Sequence, residues 1–341
     1  MKKMAVLLAA LVLAVSLPAY AQERTFTDSL GRSVTLPQKV EKVAVSGPLA
    51  QMVVFPLAAD ELVGIAEEWN ATAALYLSER YYNMPVLGQL YGGKGEMNLE
   101  ELLLAAPDVV IDVGEPKDGM AQELDALCEQ TGIPFVHIDA STQTMGDTYR
   151  LLGELLSLPE AAETLASYCD RIYAMAAELM EKVGENRVTA LYLTGTEGLN
   201  VIARGSYHSE VIDLMTENLA VVDSPSSKGT GNETDMEQLL LWNPEVILFS
   251  PDSAYETAGS DALWLGLDAI ASGRYYLVPF GPYNWLGFPP SVQRYLGILW
   301  LGDLLYPEYT DYDLYESVHE YYELFYRCDL TREQFDALVG R

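Results

Sequence analysis

Positive charge is scarce in this chain. Its 341 residues carry 20 Lys and Arg against 50 Asp and Glu, a formal net charge of -30 at pH 7. A surface of that sign repels a phosphate backbone or an anionic bilayer, which excludes nucleic-acid binding. Histidine is scarcer still: His137, His208 and His319 are scattered and no H-E-x-x-H occurs, so no metal cluster is expected. The three cysteines, Cys128, Cys169 and Cys328, lie far apart with no C-x-x-C pair. That excludes a zinc knuckle or thioredoxin-like site and leaves buried small hydrophobes, with one disulfide plus an odd thiol open in an oxidising compartment. There is no G-x-S-x-G elbow, and Gly229-Thr230-Gly231-Asn232-Glu233-Thr234 lacks the third glycine and the leading strand of a dinucleotide fingerprint.

What is present begins with Lys2-Lys3, an apolar run from Met4 to Leu17, and Pro18-Ala19-Tyr20-Ala21. This pattern predicts a secretory signal peptide over residues 1–21, because the run is shorter than the roughly 20 residues of a membrane span. No cysteine lies near the expected cut to carry a lipid anchor, so a soluble periplasmic protein is expected. Half of the chain is hydrophobic and 21% is charged, an ordinary globular balance.

The chain also repeats itself. The segment Leu99-Glu100-Glu101-Leu102-Leu103-Leu104-Ala105-Ala106-Pro107-Asp108-Val109-Val110-Ile111 aligns without a gap on Met236-Glu237-Gln238-Leu239-Leu240-Leu241-Trp242-Asn243-Pro244-Glu245-Val246-Ile247-Leu248. Proline lacks an amide and disfavours helix in the residue before it, so each copy reads as a short helix, a stop and a buried strand. Apolar strands running into a glycine turn at Lys42–Gly47 and Arg187–Gly195, and later strands at Ile133–Asp139 and Tyr275–Phe280, repeat in the same order. Strands alternating with helices predict an α/β chain of two similar lobes with parallel-rich sheets. Pro159 to Lys182 has helical apolar spacing and would join them as one long interdomain helix of about 35 Å. The expected divisions are an N-terminal lobe over 22–155, the connecting helix over 156–185, a C-terminal lobe over 186–306, and a Tyr-rich helical tail over 307–341 packed on the body, with a ligand cleft between the lobes.

In this order, and after a signal peptide, Thr25 to Pro37, Val43 to Ser46, Glu61-Leu62-Val63-Gly64-Ile65, the duplicated unit and Trp300 to Pro307 resemble ABC-transporter periplasmic solute-binding proteins of the helical-backbone class. That family serves iron-siderophore, haem and cobalamin uptake. The resemblance implies a binding protein that does no chemistry, has no cofactor of its own, and works with a membrane permease and its ATPase. It also implies that Glu100 and Glu237 dock on the permease, a placement that agrees with the preference for carboxylates in a first helical turn.

Ligands of open α/β sheets lie beyond the carboxyl ends of strands. The loops there hold Pro48, Leu49, Trp69, Tyr91 to Gly93, Glu115, Arg204, Tyr207, His208, Lys228 and the Gly/Pro-bound aromatics Tyr283 and Trp285. The cleft candidates are Pro48, Trp69, Tyr91, Arg204, Tyr207, Lys228, Tyr283 and Trp285. Arg204 and Lys228 suit an anionic ligand, and equally suit surface pairs with Glu210 or Glu233. A metal chelate, first a ferric siderophore, is the expected cargo of an expected monomer. Molybdate or tungstate, cobalamin and haem are alternatives, and an exported α/β hydrolase using Ser46 or Ser209 is the rival of another class.

Overall fold

The computed structural model describes residues 23–91 and 96–340, so the expected signal peptide lies outside the described residues, as do Gly92 and Gly93. The N-terminal lobe runs β1 (Glu23–Thr27), β2 (Ser33–Pro37), β3 (Val43–Val45), α1 (Pro48–Ala58), a 3-10 turn (Ala71–Leu75), α2 (Glu79–Tyr82), α3 (Leu99–Ala105), β4 (Val109–Gly114), α4 (Met120–Thr131), β5 (Phe135–Asp139) and α5 (Met145–Leu156). After α6 (Pro159–Val183) the second lobe runs β6 (Thr189–Thr194), β7 (Asn200–Val201), α7 (Glu210–Met215), β8 (Glu217–Asn218), β9 (Asn232–Glu233), α8 (Met236–Trp242), β10 (Val246–Phe249), α9 (Tyr255–Ala258), α10 (Asp268–Ala271), β11 (Tyr275–Leu277) and α11 (Arg294–Leu305). Two further helices, α12 (Leu314–Tyr326) and α13 (Arg332–Val339), complete the chain.

The first sheet is parallel in the order β3-β4-β5, with Val43 opposite Val109 and Val110 opposite Phe135. Every residue of β4 is buried, as a central parallel strand covered on both faces requires. In the second lobe β11, β10 and β6 are parallel, while β7 and β9 continue the sheet antiparallel. Strand C-terminal ends of both sheets therefore lead into the loops around Gly47, Gly114, Ala140, Gly195 and Ser250.

The duplicated unit repeats down to single bonds. Asn98 and Asp235 each cap their helix with a side-chain oxygen, Leu102 and Leu239 are each fully buried, and Ala106 (φ 47°) and Asn243 (φ 37°) each end the helix left-handed. Asp108 then accepts the amides of Glu41 and Lys42, and Glu245 accepts that of Thr189, so each acid ties its strand to the neighbouring strand of the sheet.

The connector is the 25-residue helix α6, about 37 Å long at 1.5 Å per residue. Its buried face, which includes Leu165, Tyr168, Cys169, Ile172 and Leu179, contacts α5 and α11. Cys169 is a buried free thiol, and Cys128 and Cys328 are free as well. The Tyr-rich stripe of α12 is buried too. Tyr321 stacks on Phe325 at 4.4 Å, Phe325 meets Tyr149 and Tyr168, and the Tyr322 hydroxyl donates to the Gly281 carbonyl. The helix thus touches elements of both lobes.

Candidate functional site at the junction of the lobes

The loop after β5 meets the start of α7 and α11. Arg294 opens α11 with its side chain only 2% exposed, among the most deeply buried large side chains of the molecule. Its Nη1 donates to Glu210 Oε2 at 2.7 Å, its Nη2 donates to the Tyr207 carbonyl, and its guanidinium lies 4.7 Å from the Tyr207 ring centroid. Glu210 Oε2 also accepts the Thr142 amide at 2.7 Å and the Thr142 hydroxyl at 2.5 Å. Tyr207 and Tyr295 hydroxyls donate to the carbonyls of Ala140 and Thr142, each at 2.7 Å. Four side chains of the second lobe thereby fasten one loop of the first.

One donor of this cluster is left over: Arg294 Nε is buried without a hydrogen-bond partner among the described residues. A buried cationic donor is ordinarily satisfied, and Nε here lies against the Gly287 backbone. Room for the guanidinium depends on Gly287 (φ 113°), since a β-carbon there would sit 2.9 Å from Nε. His208, 8% exposed, stacks on Phe288 with ring centroids 5.3 Å apart. Burial, and next the charge of Arg294, hold its imidazole below the ordinary 6.5, so it is neutral at pH 7.

Each expected cleft residue has a definite place. Pro48 is the half-buried first residue of α1, and Tyr91 crosses above it; a β-carbon on Gly47 would meet the Tyr91 carbonyl oxygen at 2.6 Å. The Tyr91 hydroxyl donates to Glu123 at 2.9 Å under the Lys117 ammonium, 4.2 Å from the ring. Across from them, the space over Gly114 is shared by Leu49 and the Tyr207 hydroxyl. Lys228 is exposed in the loop whose next residue, Gly229, lies against His208 and Phe288. Pro48, Tyr91, Tyr207 and Lys228 therefore border the junction.

The other four do not. Trp285 has no exposed surface, and Tyr283 and Trp69 are 7% and 4% exposed. Trp69 lies against Phe55 and Tyr283 and donates from Nε1 to the Tyr81 carbonyl at 3.0 Å. These aromatics found tight packing in place of a ligand wall, because the Gly281 to Pro290 loop folds inward onto α11, α12 and α13 and fills the core. Arg204 sits at the opposite end of the sheet, donating to the Asn218 carbonyl at 2.6 Å beside Glu217 at 3.9 Å. Its loop turns back alongside β8, carrying the cation away from the junction. The cation at the junction is Arg294, paired with Glu210.

Beside Tyr207 a hollow of about 480 Å³ is lined by Glu115, Asp139, Asp147 and Glu210. Beneath its rim runs a buried chain: Ser46 donates to Asp112, whose other oxygen is 2.5 Å from His137 Nδ1, and His137 Nε2 is 2.9 Å from Asp139. Burial opposes the imidazolium, but the bonds and charges of Asp112 and Asp139 outweigh it and raise the His137 pKa. Both ring nitrogens face carboxylates, an arrangement that the doubly protonated ring satisfies. The carboxylate stands between serine and histidine, so His137 does not reach the Ser46 hydroxyl. Ser209 likewise donates to Asp213 and to the Ser206 carbonyl.

Comparison with known proteins agrees with this architecture. The molybdate-binding protein MolA of Haemophilus influenzae is 25% identical over 96% of this chain and 97% of its own length. An ABC transporter solute-binding protein from Sulfurospirillum deleyianum superposes with a TM-score of 0.84 at 27% identity, over 93% of this chain and 99% of that one. A periplasmic solute-binding protein from Veillonella parvula gives 0.76 at 25% identity, over 94% and 97%. The family model described as "Periplasmic binding protein" matches residues 56–281. With two α/β lobes, a helical connector and a polar junction between them, this chain belongs to the periplasmic binding proteins and is the binding component of an ABC transporter.

Proposed function

We propose that this protein captures a small tetrahedral oxyanion, of the molybdate or tungstate class, between its lobes and delivers it to an importer in the membrane. The observation that carries this reading is the buried Arg294 with Nε unpartnered, beside the neutral His208 and within reach of the loop that bears Lys228. A charge-assisted bond from a desolvated guanidinium is the strong kind of contact that a small, otherwise well-hydrated anion needs on leaving water. The similarity to MolA over nearly the whole of both chains supports the same ligand class.

The ferric-siderophore reading loses the stacking surface it needed, because Trp69, Tyr283 and Trp285 belong to the core. Haem and cobalamin need a still larger wall. The protein acts as a periplasmic receptor without catalysis and as a monomer, with a permease and ATPase as partners, and Glu100 and Glu237, both exposed at matching positions, face that permease.

Calorimetric titration of the mature chain, residue 22 onward, with sodium molybdate tests this. Saturable binding is expected. Affinity should fall several-fold in Lys228→Ala, whose exposed side chain has no ion pair among the described residues. Binding should be abolished in Arg294→Lys and unchanged in Arg204→Ala. Heat released only with a ferric catecholate, or loss of molybdate binding in Arg204→Ala, would contradict the reading.

A further inference from the structure

The duplicated helices leave the same apolar side chains in water. Leu104 and Leu241, at matching positions of the repeat, are each 79% exposed, and their neighbours Leu103 and Leu240 are 49% and 42% exposed. In each copy the preceding leucine, Leu102 or Leu239, is wholly buried, so the leucine triplet is not simply a core stripe that has slipped outward. Glu100 stands three and four residues before Leu103 and Leu104, and Glu237 stands likewise before Leu240 and Leu241. That spacing puts acid and leucines on one helical face in both lobes. Scattered exposed leucines are unremarkable, but an acid with two exposed leucines repeated at matching positions in two lobes is a surface built twice.

We infer that α3 and α8 present two copies of one docking surface, in which Leu103-Leu104 and Leu240-Leu241 enter apolar pockets on a two-fold symmetric membrane partner, each pocket flanked by a basic group that meets Glu100 or Glu237. This rests on the receptor reading, under which that partner is the permease dimer, and adds to it the apolar half of the contact. Duplication within one chain gives the pseudo-symmetry that two equal subunits require. The negative charge of the whole chain, -30, favours a partner of opposite sign at the point of contact. The carboxylates steer and orient, while the leucines, removed from water on docking, slow dissociation.

The test uses the whole mature protein and its cognate permease–ATPase complex in nanodiscs, with binding read by interferometry and importer ATPase stimulation read in parallel. Leu104→Ser with Leu241→Ser should weaken docking by about tenfold or more, mainly through a faster off-rate. Melting temperature and molybdate affinity should stay as in the wild type, since both side chains are solvent-exposed. Leu277→Ser, a leucine 38% exposed outside the duplicated units, should dock normally. Glu100→Gln with Glu237→Gln should instead lower the on-rate and its dependence on salt. A double-serine variant that docks like wild type overturns the leucine surface alone. Wild type that does not bind the complex overturns the receptor reading with it. Wild type that sediments as a dimer, with the double-serine variant a monomer, assigns the leucines to self-association and also overturns the inference.

Discussion

Arg294 is the side chain on which the junction turns. Its charge is neutralised by Glu210, itself one-quarter exposed, and its removal would leave that carboxylate facing Thr142 alone. Breaking a buried pair by deleting one partner costs about 3–5 kcal/mol; with Glu210 partly in water, Arg294→Met should cost roughly 2–4 kcal/mol in urea unfolding. An unchanged midpoint would mean that the pair is not formed. The two buried histidines give opposite pH signatures. His208 is held below 6.5, so as pH falls the unfolded chain takes its proton first, and stability present above 6.5 is lost as pH drops through the folded value. His137 is raised above 6.5, so its contribution is complete below 6.5 and is lost as pH rises through its folded value. His208→Gln should therefore flatten the acid limb of the stability profile and His137→Asn the limb above 6.5; the reverse assignment would refute the two environments. Little of this was legible in advance. Arg294 follows Ser291-Val292-Gln293 and opens an apolar helix whose one other charge is Asp303, and a lone cation in such a run signals a buried, partnered charge. Arg204, which suits an anion and a surface pair equally by its loop position, is carried by its backbone to the other end of the sheet beside Glu217.

At the scale of elements the sequence was far more readable. Pro107 and Pro244 stop their helices, buried Leu102 and Leu239 fix the face, and the acids after the prolines stitch neighbouring strands, so pattern and structure coincide bond for bond. The left-handed stop was not announced in the first copy, where Ala106 stands at φ 47° in place of the glycine or asparagine that such a position favours. A β-carbon there is strained, so Ala106→Gly should raise stability by about 0.5–1 kcal/mol despite the greater freedom of glycine when unfolded. Asn243→Gly in the second copy should lose stability, because asparagine already tolerates the conformation and its side chain bonds the Asp268 carboxylate and amide. Chemical denaturation of both variants checks this, and a loss of stability at Ala106→Gly would argue against the left-handed cap. Aromatic loops are harder to read than helices. Three large rings between Gly281 and Pro290 are as compatible with packing as with a ligand, and the choice depends on contacts with α12 and α13 that lie farther along the chain.

The whole molecule is two lobes clasped by side-chain bonds across their junction. The connector α6 spans them as one stiff helix, the junction loop is held by Tyr207, Glu210, Arg294 and Tyr295, and α12 inserts its aromatic face where elements of both lobes meet. Phe325, fully buried and stacked on Tyr321, is central to that insertion, and Phe325→Ala should cost about 3–5 kcal/mol. A small loss would show that the tail is an ornament of the fold. Such clasping suits a site formed before the ligand arrives, since little ordering remains to oppose binding. The most direct test is the melting temperature of the mature protein with molybdate, tungstate, sulfate, a ferric catecholate, haem and cobalamin. At a hundredfold excess over Kd a folded-state ligand adds about 2.7 kcal/mol, a rise of roughly 4 °C for a chain of this length. The account predicts that rise with molybdate or tungstate and its absence in Arg294→Lys; a rise with the ferric catecholate alone, undiminished in Arg294→Lys, would contradict it.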